Sequence, residues 1–144
     1  MSPTNHSAKL LRPLQSAIRR LMRYLHKQKV KAFISKVFRE LHSTVCHGPF
    51  KGMKYIKKSN SSALLPKLLG TYEQELHQVI EQIISEEYQN IADIGCAEGY
   101  YAVGFAYKSR NRPGFQVYAY DINKDALQNL TKLSSLNSVS DKIT

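Results

Sequence analysis

Acidic residues are almost missing from the first 58 positions of this chain: Glu40 stands alone against fourteen Lys and Arg. Between 71 and 107 the shortage reverses, with seven acids and no Lys or Arg. The formal net charge of +10 therefore belongs to the amino-terminal part, and an anionic partner would meet the chain there. Cysteine is equally scarce. Cys46 and Cys96 are the only two, too few for a disulfide framework, and they read as free thiols in a reducing, cytoplasmic setting. His42, Cys46 and His47 cluster, but no second ligand pair at zinc-finger spacing follows, so no metal is expected. No stretch approaches the roughly 20 apolar residues that span a bilayer, and arginines break the apolar pattern near the start, unlike a secretory signal. The phosphate-cradling pattern G-x-x-x-x-G-K-[ST] and the hydrolase elbow G-x-S-x-G are both absent.

What is present centres on Ile91-Ala-Asp93-Ile-Gly95-Cys-Ala97-Glu-Gly99-Tyr-Tyr-Ala-Val-Gly104. A short apolar run ends in a carboxylate, small residues follow on alternate positions, and a helix-forming run comes next. That order describes a strand turning sharply into a helix with its backbone open to a ligand. Phe115 to Asp121 alternates and is rich in β-formers, so it reads as a second strand with an acid at its tip. In a doubly wound sheet this strand lies parallel to the first, and its acid can accept hydrogen bonds from ribose hydroxyls. Asp121 lies 22 residues after Gly99, near the spacing of about 20 for a ribose-binding acid. Each residue also has a plainer reading. The glycines suit an ordinary βα turn, Asp121 suits a helix start before Asn123, and Cys96 suits a small buried filler.

A dinucleotide fingerprint reads G-x-G-x-x-G, whereas Gly95 opens G-C-A-E-G, with alanine in the middle and the last glycine one position early. The D-x-G-x-x-x-G form, with an acid ending the next strand, resembles the cofactor site of class I S-adenosylmethionine-dependent methyltransferases. Glu98-Gly99-Tyr100-Tyr101 is similar to their FkbM-like or a related small bacterial branch. The resemblance implies that Gly95, Cys96, Ala97 and Gly99 line the methionine and sugar part of S-adenosylmethionine. It further implies Asp93 near the amino end, Asp121 on the ribose diol, and Ile122 beside the adenine. The acceptor it implies is a small molecule or sugar hydroxyl, and the sequence identifies no catalytic residue. Two other classes stay open: a nicotinamide-dinucleotide-binding oxidoreductase using the same turn and acid, and a non-enzymatic basic adaptor acting through residues 1–58.

The remaining chain is organised around this unit. Residues 1–45 form a basic extension, expected as two amphipathic helices. Leu10, Leu14, Ala17, Ile18, Leu21 and Leu25 make the first stripe, with Pro13 in a first turn. Val30, Phe33, Ile34, Val37, Phe38 and Leu41 make the second. Three uses compete for the extension: packing on the catalytic domain, docking on an anionic membrane or nucleic acid, or a transit peptide. Residues 46–70 are turn-rich, with a short strand expected over Met53–Ile56 and a loop over Lys57–Ser62. From 71 a helix to about Tyr88 is expected, opened by a Thr71–Gln74 capping box, with Leu76, Val79, Ile80, Ile83 and Ile84 on one face. The phrase from Gly48-Pro-Phe-Lys-Gly-Met to Leu68-Leu-Gly-Thr-Tyr-Glu73 resembles the entrance segment of small bacterial methyltransferases, which implies Tyr72 and Glu73 as pocket residues, with helix capping the plainer reading of Glu73. After Asp121, Asn123 caps a helix carrying Ala126, Leu127, Leu130 and Leu133, and Ile143 resembles the start of a third strand. The expected fold is thus α/β: an incomplete Rossmann-like doubly wound parallel sheet over 71–144, behind a basic helical extension. The chain is expected to be an amino-terminal fragment, too short to be active, with an exposed sheet edge that invites self-association.

Overall fold

The computed structural model describes residues 6–57 and 64–144, and from residue 16 onward their side chains as well. Most of the Lys57–Ser62 segment and the side chains of Leu10 and Leu14 therefore lie outside the described residues. The chain divides into two compact units, residues 1–36 and 37–144.

Helix α1 runs unbroken over His6–Glu40, where two helices were expected. Nothing between the two apolar stripes breaks a helix: Tyr24 to Lys29 contains neither glycine nor proline. At 100° per residue the second stripe is rotated by roughly 180° from the first, so one helix carries two opposite faces. Pro13 stands past the first turn, where a proline removes a backbone hydrogen bond. Ile18, Leu21, Met22, Leu25, Val30 and Phe33 are all exposed. The helix ends where His42 and Ser43 turn left-handed.

In the second unit, residues 45–55 fold around a turn closed by a single antiparallel bridge, Thr44 to Lys54. Met53–Ile56 forms no strand beyond that bridge, because Met53 and Tyr55 are spent on the core instead. The Phe50 ring meets Tyr100 and Phe105 edge-on, each with centroids 5.4 Å away. Gly104 permits this approach: a β-carbon there would lie 2.6 Å from the Phe50 ring. Asn137 fastens the same segment from the far side, donating to the Lys54 carbonyl while its Oδ1 accepts the Lys54 N–H.

Helix α2 (Leu64–Leu69) leads to a 3-10 turn at Gln74–Leu76 and helix α3 (His77–Ser85). The expected capping box at Thr71 does not form. Glu73 occupies the cap position with a left-handed backbone (φ 45°, ψ 51°) and makes no side-chain cap bond. The helix is correspondingly shorter than the periodicity suggests, and only Ile80 of its apolar face is buried, with Leu76 and Val79 exposed.

Strand β1 (Asn90–Ile94) pairs in parallel with β2 (Gln116–Tyr120), Ile91 opposite Val117 and Ile94 opposite Tyr120. Helix α4 (Tyr100–Lys108) connects them and packs against both strands. Helix α5 (Lys124–Leu136) follows, capped as expected by Asn123, whose Oδ1 accepts from the backbones of Asp125 and Ala126. Ile143 makes a parallel bridge to Val117, and Thr144 exchanges backbone hydrogen bonds with Val117 and Ala119 on the outer side of β2. The architecture is thus mixed α/β with a small two-stranded parallel sheet. Side chains alternate across a strand, and the set Ala92, Ile94, Tyr118 and Tyr120 is exposed, Ile94 by 76%.

Candidate functional site

The carboxyl ends of β1 and β2 come together through the backbone. The Tyr120 carbonyl accepts the N–H groups of Gly95 and Cys96, at 2.7 and 3.0 Å, which folds the glycine-rich turn over the tip of β2. Asp121 comes next in the chain. Its Oδ2 accepts the Ala97 N–H at 2.8 Å and its Oδ1 accepts the Asn123 N–H at 2.8 Å. The turn and the acid, 24 residues apart for Ala97 and Asp121, therefore share one place. This contact also explains how Ala97 keeps a left-handed φ of 48°, a conformation costly for a residue with a β-carbon.

Gly99 caps α4 with φ 90°, and a β-carbon there would fall 2.2 Å from Leu130 Cδ1. Its role is close packing between α4 and α5; it lines neither cavity at the turn, unlike the expectation that it would face a ligand. Gly95 is the reverse case, exposed, with open space where a β-carbon would stand. Asp93 accepts the Ala102 N–H at 3.1 Å, tying β1 to α4. Burial pushes its carboxyl above the ordinary value, the Ala102 bond opposing and the charge of Asp121 adding to the rise. Burial, reinforced by Asp93 and Asp121, lifts the Cys96 thiol to about 11, which marks it as an inert filler.

Two cavities meet at Ile94 and Gly95. The smaller, about 290 Å³, is lined by Lys67, Tyr72, Glu73, Asp93, Cys96, Ala97, Tyr100 and Tyr101. The larger, about 550 Å³, is bounded by Ala119, Tyr120, Asp121, Ile122 and Leu127. Ile122 is fully exposed beside it. Both lie at the carboxyl ends of the strands, where ligands of open α/β sheets bind. A third hollow, about 650 Å³, is bordered by Gln89, Arg112 and Pro113 at the opposite ends and contains none of the expected site residues.

Sequence reasoning missed the pair beneath the smaller cavity. Glu98, fully buried inside the turn, accepts from Lys67 Nζ at 2.6 Å and from the Tyr55 hydroxyl at 2.7 Å. Lys67 is 3% exposed, with its ammonium 4.8 Å from the Tyr72 ring centre and 5.3 Å from that of Tyr100. The available signal was a lone charge inside Leu64-Leu-Pro-Lys67-Leu-Leu69, an apolar run that has no reason to hold one unless a partner is buried with it. Tyr72 and Glu73 do line the cavity, as expected. The Tyr101 hydroxyl donates to Glu73 Oε2. Burial first, then the charge of Glu73, raises the Tyr101 hydroxyl well above its ordinary value; burial likewise raises Tyr72 and Tyr100 to about 12. All three stay protonated donors at neutral pH.

The electrostatics select a ligand class. Lys67 and Glu98 cancel, leaving Glu73 and Asp93 as the uncompensated charges of the smaller cavity. The N–H groups of Gly95, Cys96, Ala97 and Gly99 are all engaged inside the protein, so these four amides are not available to a pyrophosphate. Among the described residues no group of three or more His, Cys, Asp or Glu is placed to hold a metal ion, and no helix is long and apolar enough to cross a membrane. No protein-family model, curated protein or solved structure matches the chain.

Proposed function

We propose that residues 71–144 belong to a Rossmann-like, doubly wound domain that binds S-adenosylmethionine, and that the protein methylates a hydroxyl of a small molecule or sugar. The observation that carries this reading is the shared position of the glycine turn and Asp121, joined by the 2.8 Å bond from the Ala97 N–H. Each Asp121 oxygen accepts one backbone N–H, and a carboxylate has about four acceptor sites, so capacity for a ribose diol remains. The exposed Ile122 and the apolar wall of the larger cavity suit an adenine face. The negative, aromatic-lined smaller cavity suits a sulfonium and an ammonium. When bound, the cofactor supplies an electrophilic methyl group; these residues orient it and hold charge against it. The committed backbone amides of the turn weigh against a nicotinamide dinucleotide. Competition between S-adenosylhomocysteine and a nicotinamide dinucleotide for the chain tests the choice. Displacement by the dinucleotide alone overturns the methyltransferase reading.

A second role belongs to α1. Its exposed Ile18, Leu21, Met22 and Leu25 lie on one side, with Arg19, Arg20, Arg23 and Lys27 turned away from them by the helical period. That pattern suits an anionic surface. Sedimentation with vesicles containing phosphatidylglycerol, against neutral vesicles, tests it; equal binding to both contradicts it.

A further inference from the structure

We propose that two copies of the chain dimerise by exchanging helices, residues 18–25 of α1 in one copy lying on the exposed face of α3 in the other, and reciprocally.

The two surfaces are built alike. Leu76, on the turn that leads into α3, is followed by Val79 and Ile83 at intervals of three and four residues, which aligns them on one side of a helix. Leu76 and Val79 are exposed and Ile83 is half-buried. Ile18, Leu21 and Leu25 of α1 repeat the same intervals, and all three are exposed. Each set is an apolar ridge about 10 Å long, so the two match in length. Ridges of this kind pack into the grooves of a facing helix.

Charge decides which ridge meets which. Glu75 and Glu86 stand four residues before and seven after Val79, within about 40° of it by the helical period, and both are exposed. The α3 ridge is therefore edged by acid. Arg19 and Arg23 edge the α1 ridge, bordering a hollow of about 540 Å³ together with Ile18 and Met22. From Ser16 to Arg39 the helix holds no acid. Pairing α1 with α1 sets cations against cations, whereas pairing it with α3 sets cations against carboxylates. The second stripe of α1 makes a separate occupant necessary. Val37 and Phe38 of that stripe are half-buried. The first ridge lies on the opposite side of the same unbroken helix, so a surface that covers the second stripe leaves the first open. The acid-edged ridge of a second copy supplies the complement. Two reciprocal contacts close the pair and leave neither ridge free to add a third chain.

Sedimentation equilibrium of the full chain across a concentration series tests this. A reversible monomer–dimer equilibrium is expected, weakened by added salt because the charged edges are exposed. Leu21→Glu sets an acid against the acids of α3, and Val79→Arg sets a cation against the cations of α1. Both positions are more than half exposed, so the fold tolerates either change, which unchanged far- and near-ultraviolet circular dichroism confirms. Losing one buried Leu or Val weakens a contact by about tenfold or more. The loss occurs twice in a reciprocal dimer, so each variant alone is expected to dimerise at least about a hundredfold more weakly. A mixture of the two variants keeps one native contact and faces Glu with Arg in the other, so the expected result is a heterodimer where neither variant alone dimerises. A dimer indifferent to Val79→Arg overturns the exchange, because the copies are then joined elsewhere. Folded variants that fail to rescue one another overturn it as well. So does a chain that stays monomeric at every concentration, with α1 taken up by anionic vesicles alone.

Discussion

Replacing Lys67 with methionine removes the buried ammonium that pairs with Glu98. The carboxylate is fully buried, and its ion pair is a 2.6 Å contact enclosed by aromatic rings, so solvent cannot stand in for the lost ammonium. Removing one partner of a buried pair costs about 3–5 kcal/mol, chiefly the penalty of an uncompensated charge. A domain of ordinary stability has about 5–15 kcal/mol in total, so the loss is more than half of the smallest such value. With a urea dependence of about 1–3 kcal/mol per molar, the unfolding midpoint falls by roughly 2 M. Near-ultraviolet circular dichroism is the suitable signal, because Tyr55, Tyr72 and Tyr100 surround the pair and α1 contributes no packed tyrosine. The double change Lys67→Met with Glu98→Leu removes both charges. It is expected to recover most of the loss, short of complete because the Tyr55 hydroxyl loses its bond to Glu98. A midpoint shift under about 0.5 M for Lys67→Met, on that same urea dependence, refutes the account. So does a double variant no more stable than the single one.

Gly99→Ala drives a β-carbon to 2.2 Å from Leu130 Cδ1 at a φ of 90°; it is expected to cost about 1–3 kcal/mol by thermal melting, partly restored by Leu130→Ala. Asp93 supplies a pH test. Its folded carboxyl titrates above the ordinary 3.8, so its contribution to stability is complete below that value and is lost as pH rises through the raised one. Asp93→Asn therefore raises the melting temperature at pH 7 relative to that at pH 3, and an unchanged difference contradicts the burial argument. Cys96, with its thiol raised from 9.0 to about 11, is expected to react with iodoacetamide at pH 8 about 100-fold slower than an unperturbed thiol. Mass spectrometry of the two cysteine peptides reads this directly, and comparable labelling of Cys96 and a free thiol contradicts it.

The parts of the fold that the sequence made legible are those written in local pattern. Alternation marked both strands, Asn123 announced the start of α5, and Gly95 to Gly99 announced the turn, because each signal depends on neighbours within a few residues. Ile143 pairs beside Val117 for the same reason. The failures lie where distant contacts override local preference. Thr71 and Gln74 had the residues of a capping box, yet Glu73 is drawn into a left-handed turn toward Tyr101 of α4, and the helix begins later. Met53 and Tyr55 looked like strand residues but serve as core, and their backbone hydrogen bonds go to Val45 and Ser43. The two stripes of α1 were read as two helices because a change of face looks like a break unless the intervening residues are weighed. In the site, the meeting of Asp121 with the glycine turn was legible from their spacing, while the bond from the Ala97 N–H that joins them was not. Lys67 left a local trace as the lone charge of an apolar run, but nothing local identifies Glu98, 31 residues away, as its partner.

The most direct test of the shared adenosyl pocket is a titration of the nitrogen-15-labelled chain with S-adenosylhomocysteine, followed through backbone amide resonances. The account predicts saturable shifts at Gly95, Ala97, Asp121 and Ile122 together, lost when Asp121 is replaced by alanine. Shifts confined to α1, or an Asp121→Ala chain that responds like the unaltered one, would contradict it.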